Sequence, residues 1–144
     1  MFRIFKIILF SFLVLSCNKK SSTVNSTNNP VPSVPVQITM YPNDISNFKI
    51  QAIGGWMYLN GGIRGIILYR KSQEEFVAME RTSPQLPNND AAIVKVQANN
   101  FTLRDTVSDS QWRIVDGTVT KGPTTWPLRL YGTTYDGNVL RIVN

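Results

Sequence analysis

GGWMYLNGGIRGIILYR, residues 54–70, decides the fold class. Two short runs rich in aromatic and β-branched residues, Trp56–Leu59 and Gly65–Arg70, stand on either side of the turn-forming Asn60-Gly61-Gly62. Such residues favour a pleated, half-buried surface, and glycine supplies the positive φ that tight turns require. Neither run carries a 3.6-residue apolar period, so neither reads as a helix. The pattern recurs along the chain. Phe48–Ile53, Glu75–Glu80, Ala92–Gln97, Phe101–Arg104 and Val139–Val143 are further predicted strands, some alternating apolar with polar, as in Val94-Lys95-Val96-Gln97. Asp116-Gly117 and Asp136-Gly137 are hairpin-type turn pairs. At most one short helical turn is expected. Residues 37–144 therefore form one all-β domain of ordinary size, a small antiparallel sandwich or barrel.

Upstream, the composition changes twice. Met1–Lys6 carries Arg3 and Lys6, and Ile7–Leu15 is apolar apart from Ser11. A membrane-spanning helix needs roughly 20 apolar residues, so this run reads as a secretory leader over residues 1–16. Val14-Leu15-Ser16-Cys17 resembles a bacterial lipobox, in which a small residue precedes a cysteine that is acylated and becomes the first residue of the mature chain. Cys17 is thus the expected lipid attachment site. Two or three acyl chains, at about 0.8 kcal/mol per buried CH₂, would anchor it firmly. The expected address is the bacterial cell envelope, on the outer membrane with the domain in the periplasm. Residues 17–36, rich in Ser, Thr, Asn and Pro, read as a disordered tether between anchor and domain. Pro30, Pro32 and Pro35 favour an extended chain there.

The chain has 15 basic and 9 acidic residues, and removing the leader takes away only Arg3 and Lys6. The pI near 9.7 invites a nucleic-acid reading, but a basic binding face needs clustered cations. Here only Lys19-Lys20 and Arg70-Lys71 are adjacent. Lys19-Lys20 follows the anchor, where each charge near anionic headgroups is worth about 1 kcal/mol. The expected partners are the membrane, through the lipid, and an envelope protein or ligand, with no nucleic acid.

The chain holds no histidine, and Cys17 is its single cysteine. No intrachain disulfide can form, and thiol and imidazole chemistry is absent from the domain. An enzyme would have to work with Asp, Glu, Ser, Lys or Tyr, and these form no recognisable catalytic set. Adjacent Glu74 and Glu75 would point to opposite faces of a strand and are poor partners for acid–base work.

A longer order of motifs extends the stretch quoted first. Gly54-Gly55, the tyrosine strand, Asn60-Gly61-Gly62 and Arg64-Gly65-Ile66-Ile67 are followed by Phe-x-Ala-x-Glu-Arg-Thr at Phe76–Thr82. Then come Asp116-Gly117, Gly122-Pro123, Pro127-Leu128, Tyr131 and a terminal strand after Asp136-Gly137. From Gly54 to the C terminus the chain resembles the Rieske-like domains of bacterial lipoproteins. That resemblance implies an iron–sulfur fold with a [2Fe–2S] cluster held by two loops, Cys-x-His and Cys-x-x-His. The corresponding positions in this chain are Ser83 and Gln85 in the first loop, and Ser108 and Gln111, followed by Trp112, in the second. A serine hydroxyl does not ionise near neutral pH, and a glutamine amide has no basic lone pair. Neither replaces the thiolates and imidazoles that clusters take. The expected cofactor is therefore none, with the two loops closing at one tip through a hydrogen-bonded Ser/Gln network.

Asp90, Asp105 and Asp109 lie near these loops, but their spacing matches no calcium loop. Trp56, Tyr58, Tyr69, Trp112, Trp126, Tyr131 and Tyr135 could form a sugar- or ligand-stacking face. In a domain this small about five of the seven are expected in the core, with Trp126 the most exposed. The function expected from these residues is a lipid-anchored, non-catalytic binding or structural module. The alternatives are an electron-transfer protein, which the fold implies and the missing ligands oppose, and a ligand- or glycan-binding β domain.

Overall fold

A computed structural model describes residues 28–144. The leader and Cys17 lie outside the described residues. Among the described residues ten strands are present: β1 Gln37–Met40, β2 Trp56–Leu59, β3 Ile66–Arg70, β4 Phe76–Glu80, β5 Val94–Val96, β6 Thr102–Asp105, β7 Gln111–Arg113, β8 Val119–Lys121, β9 Leu130–Tyr135 and β10 Leu140–Val143. They build a six-stranded antiparallel sheet in the order β1-β10-β9-β4-β3-β2 and a four-stranded one in the order β5-β6-β7-β8. The expected all-β class is found.

The run Ile66-Ile67-Leu68-Tyr69 explains how the two sheets share a core. All five β3 residues are buried, because successive side chains point to opposite faces and both faces are covered. Ile66 and Leu68 join Phe76, Ala78, Tyr131, Leu140 and Ile142 in one cluster. Ile67 and Tyr69 join Met79, Val94, Leu103, Trp112 and Leu128 in the other. Each fully buried Ile or Leu contributes about 1.5–3 kcal/mol. Side chains from both edge strands, Ile38 and Met40 on β1 and Met57 and Leu59 on β2, meet in the first cluster, so the six-stranded sheet is curled around it. The second cluster lies between the sheets. Asp136-Gly137 turns β9 into β10, and Asp116-Gly117 turns β7 into β8, each glycine at positive φ (96° and 69°).

Two expectations change. Residues 48–53 do not form a strand. Asp44 caps a 3-10 segment over Ile45–Ile50, accepting from Ser46 N, and only Ile50 is buried. The local Asp-x-Ser cap outcompetes a short apolar run. The tether also meets the domain before residue 37. Val31 and Val36 are buried, and Arg129 donates through Nε (2.8 Å) and Nη2 (2.5 Å) to Val31 O. Asn29 Nδ2 donates to Pro127 O at 3.0 Å, and Asn144 Nδ2 to Val34 O at 2.7 Å. The valines between the prolines fill hydrophobic space that composition alone treats as solvent.

Two buried charges sit at opposite ends of the β3–β4 hairpin. Glu80 is fully buried and pairs in register with Ile66. Its Oε2 accepts from Tyr131 Oη (2.6 Å) and Ile63 N (2.8 Å), and its Oε1 from Arg64 N (3.0 Å), Thr82 N (2.9 Å) and Thr82 Oγ1 (2.8 Å). Burial alone would push its pKa up. The hydrogen bonds from Tyr131, Ile63, Arg64 and Thr82 outweigh burial and hold the carboxyl below the usual glutamate range. Burial and the Glu80 charge push the Tyr131 hydroxyl far above its ordinary value. Gly62, at φ +64°, brings the turn against this carboxylate, and a Cβ there would overlap Glu80 Oε2. The Asn-Gly-Gly and Phe-x-Ala-x-Glu-Arg-Thr motifs are therefore two halves of one lock. Arg70 is 1% exposed. It donates to the carbonyls of Ile50, Gln51, Ser72 and Gln73 and lies 5.0 Å over the Phe76 ring.

Candidate functional site

Strand register brings three loops to one end of the four-stranded sheet. Val94, the first residue of β5, pairs with Asp105, the last of β6. Gln111, the first of β7, pairs with Lys121, the last of β8. The β4–β5, β6–β7 and β8–β9 loops therefore leave the same end, and they carry Ser83 with Gln85, Ser108, and Thr124 with Trp126 respectively. Gln111 opens β7 at that end.

The β4–β5 loop is a chain of tight turns. Ser83 N donates to Ala92 O (3.1 Å), Leu86 N to Ser83 O (3.2 Å) and Asn89 N to Leu86 O (3.1 Å). Arg64 reaches across to fix it, donating through Nη1 to Pro87 O at 2.8 Å and pairing through Nη2 with Asp90 at 2.7 Å. The Glu80 lock thus extends through the 61–65 turn to this loop.

Asp105 organises the β6–β7 loop. It is buried, and its carboxylate accepts from Val107 N (2.9 Å) and Ser108 Oγ (2.6 Å). The Ser108 and Ser110 hydroxyls lie 3.0 Å apart, and Ser110 Oγ accepts from Thr124 N at 3.2 Å. This series ties the β6–β7 loop to the β8–β9 loop. Trp112 adds a second tie, donating through Nε1 to Trp126 O at 3.0 Å. Asp109, at φ +64°, pairs with both Lys121 and Arg104. Hydrogen bonds from Lys121 and then Arg104 hold its carboxyl below the usual range.

The four predicted positions sit on or beside loops at one end of the sheet but do not bond to one another. Ser108 belongs to the Asp105–Ser110 series. Ser83 Oγ is buried without a hydrogen-bond partner among the described residues. Gln85 and Gln111 are half-buried, and among the described residues neither side chain makes a hydrogen bond. The network that closes the loops is Asp105, Ser108, Ser110 and Thr124 rather than Ser/Gln. Ser110 and Thr124 were not anticipated. The available signal was Asp105-x-x-Ser108, a spacing at which a short carboxylate bonds the chain two and three residues on. Asp90, Asp105 and Asp109 each serve a different partner, so they do not converge. The donor chemistry of these four side chains, hydroxyl and amide, does not fit a thiolate- and imidazole-bound cluster.

Serines at the two ends of this region should therefore respond oppositely. Ser110→Ala removes the acceptor of a buried N–H and should cost about 1–3 kcal/mol. Ser83→Ala removes a buried hydroxyl that has no partner among the described residues and should be neutral or stabilising by up to about 1 kcal/mol. Denaturant unfolding of both variants checks this. A loss from Ser83→Ala equal to that from Ser110→Ala would mean that Ser83 has a partner.

Comparison with protein-family models, with curated proteins and with solved structures finds no match.

Proposed function

We propose that this protein is a lipid-anchored module of the bacterial cell envelope, attached through Cys17, with a Rieske-like domain that has lost its cluster ligands and acts as a non-catalytic binding or structural part. The observation that carries it is the pairing of position and chemistry. Ser83, Gln85, Ser108 and Gln111 lie on or beside loops at one end of the four-stranded sheet, where the resemblance calls for two cysteines and two histidines. Their place supports the family; their chemistry opposes electron transfer. The loops also close on their own, through Asp105, Ser110 and Thr124, so the end of the sheet has a structural reason to hold together with no cluster in it.

Protein purified without oxygen should be colourless, carry no stoichiometric iron or acid-labile sulfide, and keep its unfolding midpoint in chelator. Two irons per chain would overturn the loss of the cluster. Wild-type protein should partition with membranes and carry a mass increment of several acyl chains at Cys17, while Cys17→Ser should be soluble or unprocessed. An unmodified mature N terminus in the soluble fraction would remove the anchor from the proposal.

A further inference from the structure

β2 is the last strand of the six-stranded sheet, so among the described residues no strand pairs with its outer edge. Arg70 N donates to Gly55 O. Bonded and non-bonded pairs alternate along an antiparallel ladder, so the bonds to β3 fall on Met57 and Leu59. The N–H and C=O groups of Trp56 and Tyr58 then face away from β3. No other described group bonds them. Beside this edge runs a groove of about 470 Å³, lined by the continuous stretch Gly54 to Tyr58 together with Lys49 and Asn100.

The surroundings select an occupant. Three chain neighbours of the lining residues are large and exposed: Phe48 (65%), Ile53 (61%) and Phe101 (68%). Lys49 is the one charged lining residue and has no ion-pair partner among the described residues. The two lining aromatics are already committed to the protein. Trp56 Nε1 donates to Asn100 Oδ1 at 2.9 Å, and Trp56 packs edge-on against Tyr58 at 5.2 Å. Tyr58 accepts from Val96 N at 3.0 Å, and Arg81 covers its ring at 3.9 Å. They wall the groove and offer a sugar little free face.

The geometry points to an extended peptide of a partner protein, apolar at alternate residues and bearing a carboxylate, that adds to β2 as a seventh strand with its acid on Lys49. Peptide backbone is the ligand whose donors and acceptors repeat at the spacing of the free edge, and side chains in flanking pockets then give specificity. Apolar residues facing Phe48, Ile53 and Phe101 would be covered on binding. This rests on the proposed binding role but needs neither the anchor nor the loss of the cluster. Membrane partition and iron content are read separately on the same preparation, so either can fail while this result stands.

The test selects phage-displayed random octapeptides on the purified full chain and then measures synthetic copies of the enriched sequences. Enriched peptides should alternate apolar and polar residues and carry Asp or Glu. Binding should protect the backbone amides of Trp56 and Tyr58 from hydrogen exchange. N-methylation of the peptide residues whose amides face β2 should weaken binding at least tenfold, and N-methylation of the intervening residues less than twofold. Lys49→Glu should weaken the acidic peptide at least tenfold. No enrichment, protection confined to other strands, or equal effects of the two N-methylation registers would overturn the proposal. So would self-association of the chain that protects the same amides and that the peptides do not displace, since the edge would then serve a second copy.

Discussion

Glu80→Gln should lower the unfolding free energy by about 3–5 kcal/mol, the range for removing one member of a buried charged network. The carboxylate accepts five hydrogen bonds from Tyr131, Ile63, Arg64 and Thr82. An amide presents N–H groups to some of those donors and leaves them unpaired. Tyr131→Phe removes a single donor to the charge and should cost about 1.5–3 kcal/mol, and the double variant should lose less than the sum, because the two share one network. The pH dependence has a definite sign. A carboxyl held below its unfolded pKa contributes stability that is full above the unfolded value, near pH 4.3, and is lost as pH falls through the folded one. Wild-type stability should therefore fall on acidification. In Glu80→Gln the acid limb should be shallower, though not flat, since Asp44, Asp109, Asp116 and Asp136 are also held low. Denaturant unfolding from neutral pH down to pH 3 measures both effects. An unchanged acid limb would mean that folding leaves the Glu80 carboxyl unshifted, and a steeper one in Glu80→Gln would mean that burial raises it.

Arg70→Met should be of similar size, about 3–5 kcal/mol, because it strips the counter-dipole from four backbone carbonyls gathered around a buried cation. Those carbonyls, of Ile50, Gln51, Ser72 and Gln73, belong to the 3-10 segment and its C-cap and to the turn before β4. Arg70→Lys should rescue less than half of the loss, since an ammonium lacks the planar fork that serves them together and stacks less well on Phe76. Glu80 and Arg70 lie at opposite ends of the β3–β4 register. Four residues at about 3.3 Å each separate them, far enough for losses to add. A loss below about 1 kcal/mol from Arg70→Met would show that water can replace the guanidinium.

The legible parts of this protein are those whose cause is local. Ile66–Arg70 announces a strand because Ile, Leu and Tyr have few other uses between the glycine turn at 60–65 and the polar turn at 71–75, and Asp136-Gly137 announces a turn because Gly137 takes φ +96°. Trp126, expected to be the most exposed of the seven aromatics, lies in an open loop at 36%, but Tyr58 is more exposed at 38%. What could not be read depended on partners distant in sequence. Val31 looks like tether until Arg129, 98 residues on, takes its carbonyl. The Ser83 side chain looks like a hydrogen-bonding group, yet its hydroxyl is buried with no partner among the described residues, while Ser110 makes the contact to Thr124. Glu80 stood inside a quoted motif, but its role as the centre of a buried lock needed Tyr131, 51 residues away. The free edge of β2 follows from strand order, which no local pattern encodes.

The docking of Asn29–Val36 sets the length of the leash. With Cys17 as the attachment point, a tether ending at Val36 would give 19 residue steps and a reach of about 65 Å at full extension; one ending at Asn29 gives 12 steps and about 40 Å. The exit point is fixed too, because Asn29 is held on Pro127 beside the β8–β9 loop. Were Cys17 lipidated, that exit point would stay within about 40 Å of the bilayer. A partner embedded in the same membrane would then lie within reach of the domain, whereas one held on a layer much farther away would not.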